Sequence, residues 1–208
     1  MNNILIHPTY FPSISHFVAM LQADKVTFEM EDNFQKQTNR NRAFIYSANG
    51  RQMLNIPIKH TDDTKQKFKD VRIEHAFGWQ KQHFKSLEAA YRTSPYFEYF
   101  EDEIRPIFEG KPEFMLDLNL QIHEVLCSCL GINLPFEQTT EYVKELNSDI
   151  VDLRPLVNGK KDLNTFDPYI QVFDDKHGYL NNLSILDLLF NEGRHAIDYL
   201  KKQSNLHI

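Results

Sequence analysis

Eight consecutive residues, Gln35-Lys36-Gln37-Thr38-Asn39-Arg40-Asn41-Arg42, carry three cations and four side-chain amides. The rest of the chain leans acidic, with a formal net charge of −6. A solvated charge run usually mixes signs, and a core strand is apolar. A purely cationic, donor-rich segment instead suits an anion, because arginine presents a planar fork to phosphate or carboxylate and lysine adds a point charge. Lys36, Arg40 and Arg42 would hold the anion, with Asn39 or Asn41 adding neutral donors. The competing structural reading is an ion-pair network with the nearby Glu29, Glu31 and Asp32.

His83 is the candidate general base. It lies on an apolar stripe of Trp79, His83, Leu87 and Tyr91 between Lys81 and Lys85. A half-buried imidazole near cations has a depressed pKa, which suits proton abstraction. The plainer alternative is a core histidine bonded to a backbone carbonyl. Trp79 and Tyr10 would line the same pocket, although a tryptophan on such a stripe is also ordinary core material. Tyr10 follows the first strand, where ligands of parallel α/β sheets bind. His16, in the first turn of the next helix, loosely resembles the histidine of nucleotidyltransferase-like folds.

Other chemistries lack their residues. There is no Gly-x-x-x-x-Gly-Lys loop, no Gly-x-Gly-x-x-Gly and no Gly-x-Ser-x-Gly. With 7 glycines in 208 residues, a glycine cradle for phosphate is not expected, so side chains must hold the anion. The histidines are scattered without compact ligand spacing, so no metal site is expected. Cys127 and Cys129, two apart on a helix, read as buried core residues. No cofactor is indicated. The acidic balance argues against a general nucleic-acid binder. No apolar run reaches the roughly 18 residues of a membrane span, and no signal peptide is read, so the expected location is cytoplasmic.

These side chains need elements to position them. Asn3 to His7 reads as a strand, Pro8 to Pro12 as a loop, Ser13 as the N-cap of a helix, and Lys25 to Met30 as a second strand. That is a β-loop-α-β unit of a parallel sheet. Asn49-Gly50 marks a hairpin. Centring the turn there pairs Leu54 with Ile45 and Ile56 with Ala43, and places Pro57 opposite Arg42. Extending the first hairpin strand backward would put Arg40 and Arg42 on the face of Phe44 and Tyr46.

Beyond the hairpin, Asp70 to Glu74 reads as a short strand. Helices are expected at Trp79 to Tyr91, from Pro95 to about Pro106–Gly110, and from Phe114 to Leu130 with Gly131 as its stop. If exposed, Tyr96, Phe97, Tyr99 and Phe100 would form an interaction surface. The stretch 133–167 has no firm assignment beyond strand-like pieces at Tyr142-Val143 and Ile150 to Leu153. Tyr169 to Phe173 reads as a strand and Asp174 to Gly178 as a turn. Ser184 to Phe190 reads as a helix, with Asp187 completing a capping box, and Glu192 to Lys201 as the last helix. The fold class is mixed α/β: the N-terminal unit with its hairpin, a helical region, and a mixed C-terminal part. A single domain over 1–208 is expected, in which 79–131 could stand out as a helical lobe.

Several of these pieces recur together in one family: Tyr10-Phe11-Pro12, Lys36 with Arg40-Asn41-Arg42, the Asn49-Gly50 hairpin leading to Ile56-Pro57-Ile58, Trp79 to His83, Ser94-Pro95-Tyr96-Phe97, and the run Asn182 to Gly193. The chain resembles the WbqC-like family nearly end to end. His7 stands where glutamine is common, and Ser13 to His16 lacks the tryptophan and glycine often found there. The resemblance implies a setting in O-antigen or other surface-polysaccharide gene clusters. In that setting the expected function is an enzyme of surface-polysaccharide or envelope metabolism that holds a phosphate- or carboxylate-bearing small molecule through the cationic segment and transfers an acyl, aminoacyl or nucleotidyl group. The alternative is a non-catalytic module for a nucleotide sugar or a partner enzyme.

Overall fold

A computed structural model describes residues 3–60, 65–203 and 206. Strand β1 (Asn3–Ile6) leads through a loop into helix α1 (Ile14–Gln22), which returns the chain to β2 (Lys25–Phe28). β1 and β2 pair in parallel, Ile4 opposite Val26 and Ile6 opposite Phe28, as the β-loop-α-β reading requires. Every residue of α1 from Ile14 to Met20 is buried, so this is a core helix.

Strands β3 (Arg42–Ser47) and β4 (Gly50–Asn55) form the separate antiparallel hairpin. Its register differs from expectation by two residues: Ala43 faces Leu54, Ile45 faces Gln52, and Arg42 faces Asn55 rather than Pro57. Ala48 and Asn49 form the turn with negative φ, and only Gly50 takes a positive value, +91°. Gly50 therefore closes the turn from the first position of β4 instead of occupying one of its corners. A two-residue slip preserves which side chains share a face. Ala43, Ile45 and Leu54 are buried as read from the alternation.

Asp70 to Glu74 is not a strand. It holds the end of a 3₁₀ turn (Phe68–Asp70) and isolated bridges from Arg72 and Ile73. Three long helices follow: α2 (Trp79–Tyr91), α3 (Phe97–Glu109) and α4 (Met115–Leu130). α2 buries the expected stripe of Trp79, His83, Leu87 and Tyr91. α4 ends as expected at Gly131, where φ is +69°. The Ile132 N–H bonds the Cys127 carbonyl and the Gly131 N–H bonds that of Ser128, a Schellman closure. Cys127 and Cys129 are buried free thiols. Phe97 and Phe100 are also buried, leaving only Tyr99 of the four aromatics exposed, so no aromatic surface patch forms there.

The unassigned stretch supplies two more strands, β5 (Phe136–Gln138) and β6 (Ile150–Asp152). Tyr142 and Val143 form no strand. The four parallel strands run in the order β5-β2-β1-β6. Tyr169 to Phe173 is not a strand either. Its alternating polar side chains reach inward instead: the Tyr169 hydroxyl and the Gln171 amide both donate to Asp187. Asp174 to Gly178 is one helical turn, α5 (Asp174–His177), stopped at Gly178.

Helix α6 (Ile185–Glu192) has Ser184 as its working N-cap, accepting from the Leu186 N–H. Asp187 does not complete a capping box. It is fully buried and takes bonds from Tyr91, Tyr169 and Gln171. A 3₁₀ turn (Gly193–His195) and α7 (Ala196–Lys202) finish the fold. α1 and α6 begin side by side, joined by the Ser13–Ser184 bridge, with Ile14 N–H to Leu183 O and Ile185 N–H to Pro12 O.

Candidate functional site

The cationic segment divides. Arg42 is the first residue of β3, whereas Arg40 lies in the bend before it, so strand alternation does not bring the two together. Arg40 has no exposed surface. Its Nη2 lies 2.7 Å from Asp32 Oδ2 and 2.8 Å from His7 Nε2, and its guanidinium packs over the Phe68 ring. Burial lowers its pKa to about 10. The ion-pair reading therefore holds for Arg40. Asn41 is structural as well, its amide donating to the Ile56 carbonyl. Lys36 is exposed in the preceding turn.

Tyr10, Trp79 and His83 do meet, but inside the core. All are buried, with Trp79 edge-on to both other rings. The Tyr10 hydroxyl lies 2.8 Å from His83 Nδ1, and the imidazole also bonds the Asn55 backbone. Burial lowers the His83 pKa to about 4. The imidazole is thus neutral, as expected, but it is enclosed and occupied.

A polar pocket forms where the hairpin meets the first turns of α1 and α6. The hairpin contributes Arg42, Phe44 and Arg51. The correct register makes Arg51 the cross-strand neighbour of Tyr46, on the face that also carries Arg42 and Phe44. Arg51 lies over the Phe44 ring at 4.2 Å. Arg42 Nε bonds Asn55 Oδ1 at 3.0 Å. Among the described residues neither guanidinium has a carboxylate within ion-pair distance. The single strand therefore does not aim two guanidiniums together; the hairpin instead carries Arg42 from β3 and Arg51 from β4 on one face.

The opposite wall comes from Ser13 and Ser184 at the two helix starts, and from Asp162 and Asn182. Asn182 Oδ1 accepts the Ser15 N–H, capping α1 from a distance and leaving the Ser13 side chain free of that duty. Asp162 accepts from Ser15 Oγ, Asn182 Nδ2, and both the backbone and amide nitrogens of Asn164. Gly159 closes the floor, where a Cβ would come within 3.0 Å of the Asn39 amide. Phe11 (φ +39°) and Asn182 (φ +55°) both line the pocket and both hold a left-handed backbone that non-glycine residues seldom adopt. Such strain gathers at binding sites. The free interior is about 20 Å³, room for a water or a single anionic oxygen.

Sequence reasoning missed Arg51, Ser15, Asp162 and Asn182. Arg51 was within reach, since placing Gly50 first in the returning strand puts it across from Tyr46. Nothing local marks Asp162, and Asn182 was read only as the start of the run that carries the family resemblance; both arrive from over a hundred residues away. No group of three or more potential metal ligands occurs among the described residues.

A mixed α/β protein with a parallel sheet, a separate hairpin and a side-chain-built cationic pocket is the class that fold and site define. A model of the WbqC-like protein family matches residues 7–166. The chain belongs to that family. It is also similar to the uncharacterized protein Rv1507c of Mycobacterium tuberculosis, 26% identical over 224 residues covering 95% of this chain and 96% of the relative. No solved structure matches it. No helix among the described residues is long and apolar enough to cross a membrane.

Proposed function

We propose that this WbqC-like protein binds the anionic end of an activated, phosphate- or carboxylate-bearing small molecule between Arg42 and Arg51. On this reading it acts in cytoplasmic surface-polysaccharide or envelope metabolism, transferring an acyl, aminoacyl or nucleotidyl group. The observation that supports the anion is the pair of guanidiniums on one hairpin face above a polar pocket, neither with a carboxylate partner among the described residues. Two guanidiniums with no carboxylate partner among the described residues keep N–H groups for charge-assisted bonds to an incoming anion. The setting rests on the family resemblance. Tyr10, Trp79, His83 and Asn41 then support the pocket from behind, and Arg40 anchors the loop that precedes it.

The enclosure of His83 favours the second reading, a non-catalytic module for a nucleotide sugar or partner enzyme, because the expected base is not free to act. A thermal-shift screen of nucleotides, nucleotide sugars, acyl-CoA and aminoacyl donors tests the anion. Binding to the native state raises the midpoint with ligand concentration. The expected hit shifts the intact protein and fails to shift Arg42→Ala and Arg51→Ala. A hit unaffected by either substitution removes the reading. Turnover of the hit separates the enzyme from the module.

A further inference from the structure

Ser13 lines the pocket, and its Oγ heads a chain of short hydrogen bonds. His16 Nδ1 lies 3.0 Å from Ser13 Oγ, Ser13 Oγ 2.8 Å from Ser15 Oγ, and Ser15 Oγ 2.5 Å from Asp162 Oδ2. Each hydroxyl has one proton, and a carboxylate only accepts. Ser15 must therefore donate to Asp162, which leaves Ser13 to donate to Ser15. Ser13 in turn accepts from His16, which carries its proton on Nδ1. His16 Nε2 has no partner among the described residues, and a bare buried acceptor there is less costly than an orphaned N–H. Burial also holds the His16 pKa at about 4, so the ring is neutral at pH 7.

We infer that Ser13 is an acceptor-only oxygen in the anion pocket, and that the site selects anions bearing a neighbouring hydroxyl or amine. Its proton is committed inward and one lone pair is committed to His16, so the remaining lone pair meets the ligand as an acceptor. The ligand class is a hydroxy acid, an amino acid or a sugar phosphate rather than a bare acid or inorganic phosphate. Asp162 cannot play this part directly, because four donors already fill its oxygens. The inference rests on the proposed anion pocket for its ligand, but the direction of the chain is independent of that pocket.

The experiment is ¹⁵N NMR of the intact, histidine-labelled protein at pH 7, with and without glycolate and acetate, two anions that differ by one hydroxyl. The ligand-free protein should show His16 protonated on Nδ1. Ser15→Ala removes the acceptor of the Ser13 proton but should leave the His16 proton on Nδ1, because Nε2 has no partner for it among the described residues; Ser13 can then donate to an anion, so the preference for glycolate should fall. Asp162→Asn should do the same, since its amide oxygen is pinned by the Asn164 N–H and its NH₂ then faces Ser15. Glycolate should bind about tenfold tighter than acetate, one hydrogen bond's worth, and Ser13→Ala should erase the difference. An Nε2 proton in the wild type, or a glycolate preference unchanged in both relay variants, overturns the chain. Equal binding of the two acids overturns the selectivity. Failure of both acids to bind, with the tautomers as expected, counts against the anion pocket and with it the ligand class, while the chain stands.

Discussion

Two regions of this molecule use arginine in opposite ways. At the carboxyl ends of the parallel strands, where α/β sheets commonly bind ligands, the cations are consumed internally. Arg40 meets Asp32 and His7; Arg154 meets Asp152 at 2.7 Å, Glu29 at 3.4 Å and the Val143 carbonyl at 2.8 Å. On the hairpin, Arg42 and Arg51 sit half-buried or exposed, with no carboxylate partner among the described residues. A buried, paired guanidinium holds loops together and is costly to disturb. An unpaired one at a pocket adds little stability and stays available to a ligand. Pairing in space, and not residue type, distinguishes the two regions, since both are rich in the same side chains.

The largest expected effect comes from acid, which should break the buried region first. His7, His16 and His83 are each held near pKa 4 by burial, below the ordinary 6.5. A depressed histidine binds fewer protons folded than unfolded. Stability is therefore full above pH 6.5 and falls as the pH drops from 6.5 toward 4, by on the order of 3 kcal/mol per histidine. Urea melts at stepped pH should show a steep loss across that window. A flat profile would mean these rings are not enclosed.

Next in size, Arg40→Ala should cost about 3–5 kcal/mol, because it strands Asp32 and His7 beside a buried void. Equilibrium unfolding measures this directly, and a loss below about 1 kcal/mol would put Arg40 with the pocket arginines. Conversely, Arg42→Ala and Arg51→Ala should each change stability by less than about 1 kcal/mol, as ordinary surface substitutions do. Each should weaken the ligand found by screening about tenfold or more, a loss calorimetry can read. Lys36→Ala should be the smallest, within about 0.5 kcal/mol for folding and with affinity nearly unchanged. A large affinity loss at Lys36 would return the site to the segment read from sequence.

Much of the fold was legible before the structure. α2 and α4 follow from an apolar stripe at helical spacing and from a glycine stop, both local features. The β-loop-α-β start follows from an apolar run, a proline loop and an amphipathic return. β5 was illegible because it is three residues long and exists only through pairing with β2, whereas β6 falls within the strand-like piece at Ile150 to Leu153 and only its place beside β1 was hidden. Tyr169 to Phe173 misled because alternation records side chains facing two ways, whether or not a neighbouring strand is present. Of the site, Arg42 and its face were readable. Arg51 required the register, which hung on whether Gly50 fills the turn corner or the strand's first position.

By itself, the sequence determined that a cationic hairpin segment, with no glycine cradle anywhere, must do any anion binding through side chains. It also determined the faces of that hairpin, because alternation survives a slip of two. Only the tertiary structure decided which cations are free. Asp32 claims Arg40 by approaching its buried guanidinium, while no described carboxylate reaches Arg42 or Arg51. Charge neutralisation depends on distance in three dimensions, and spacing along the chain does not record it.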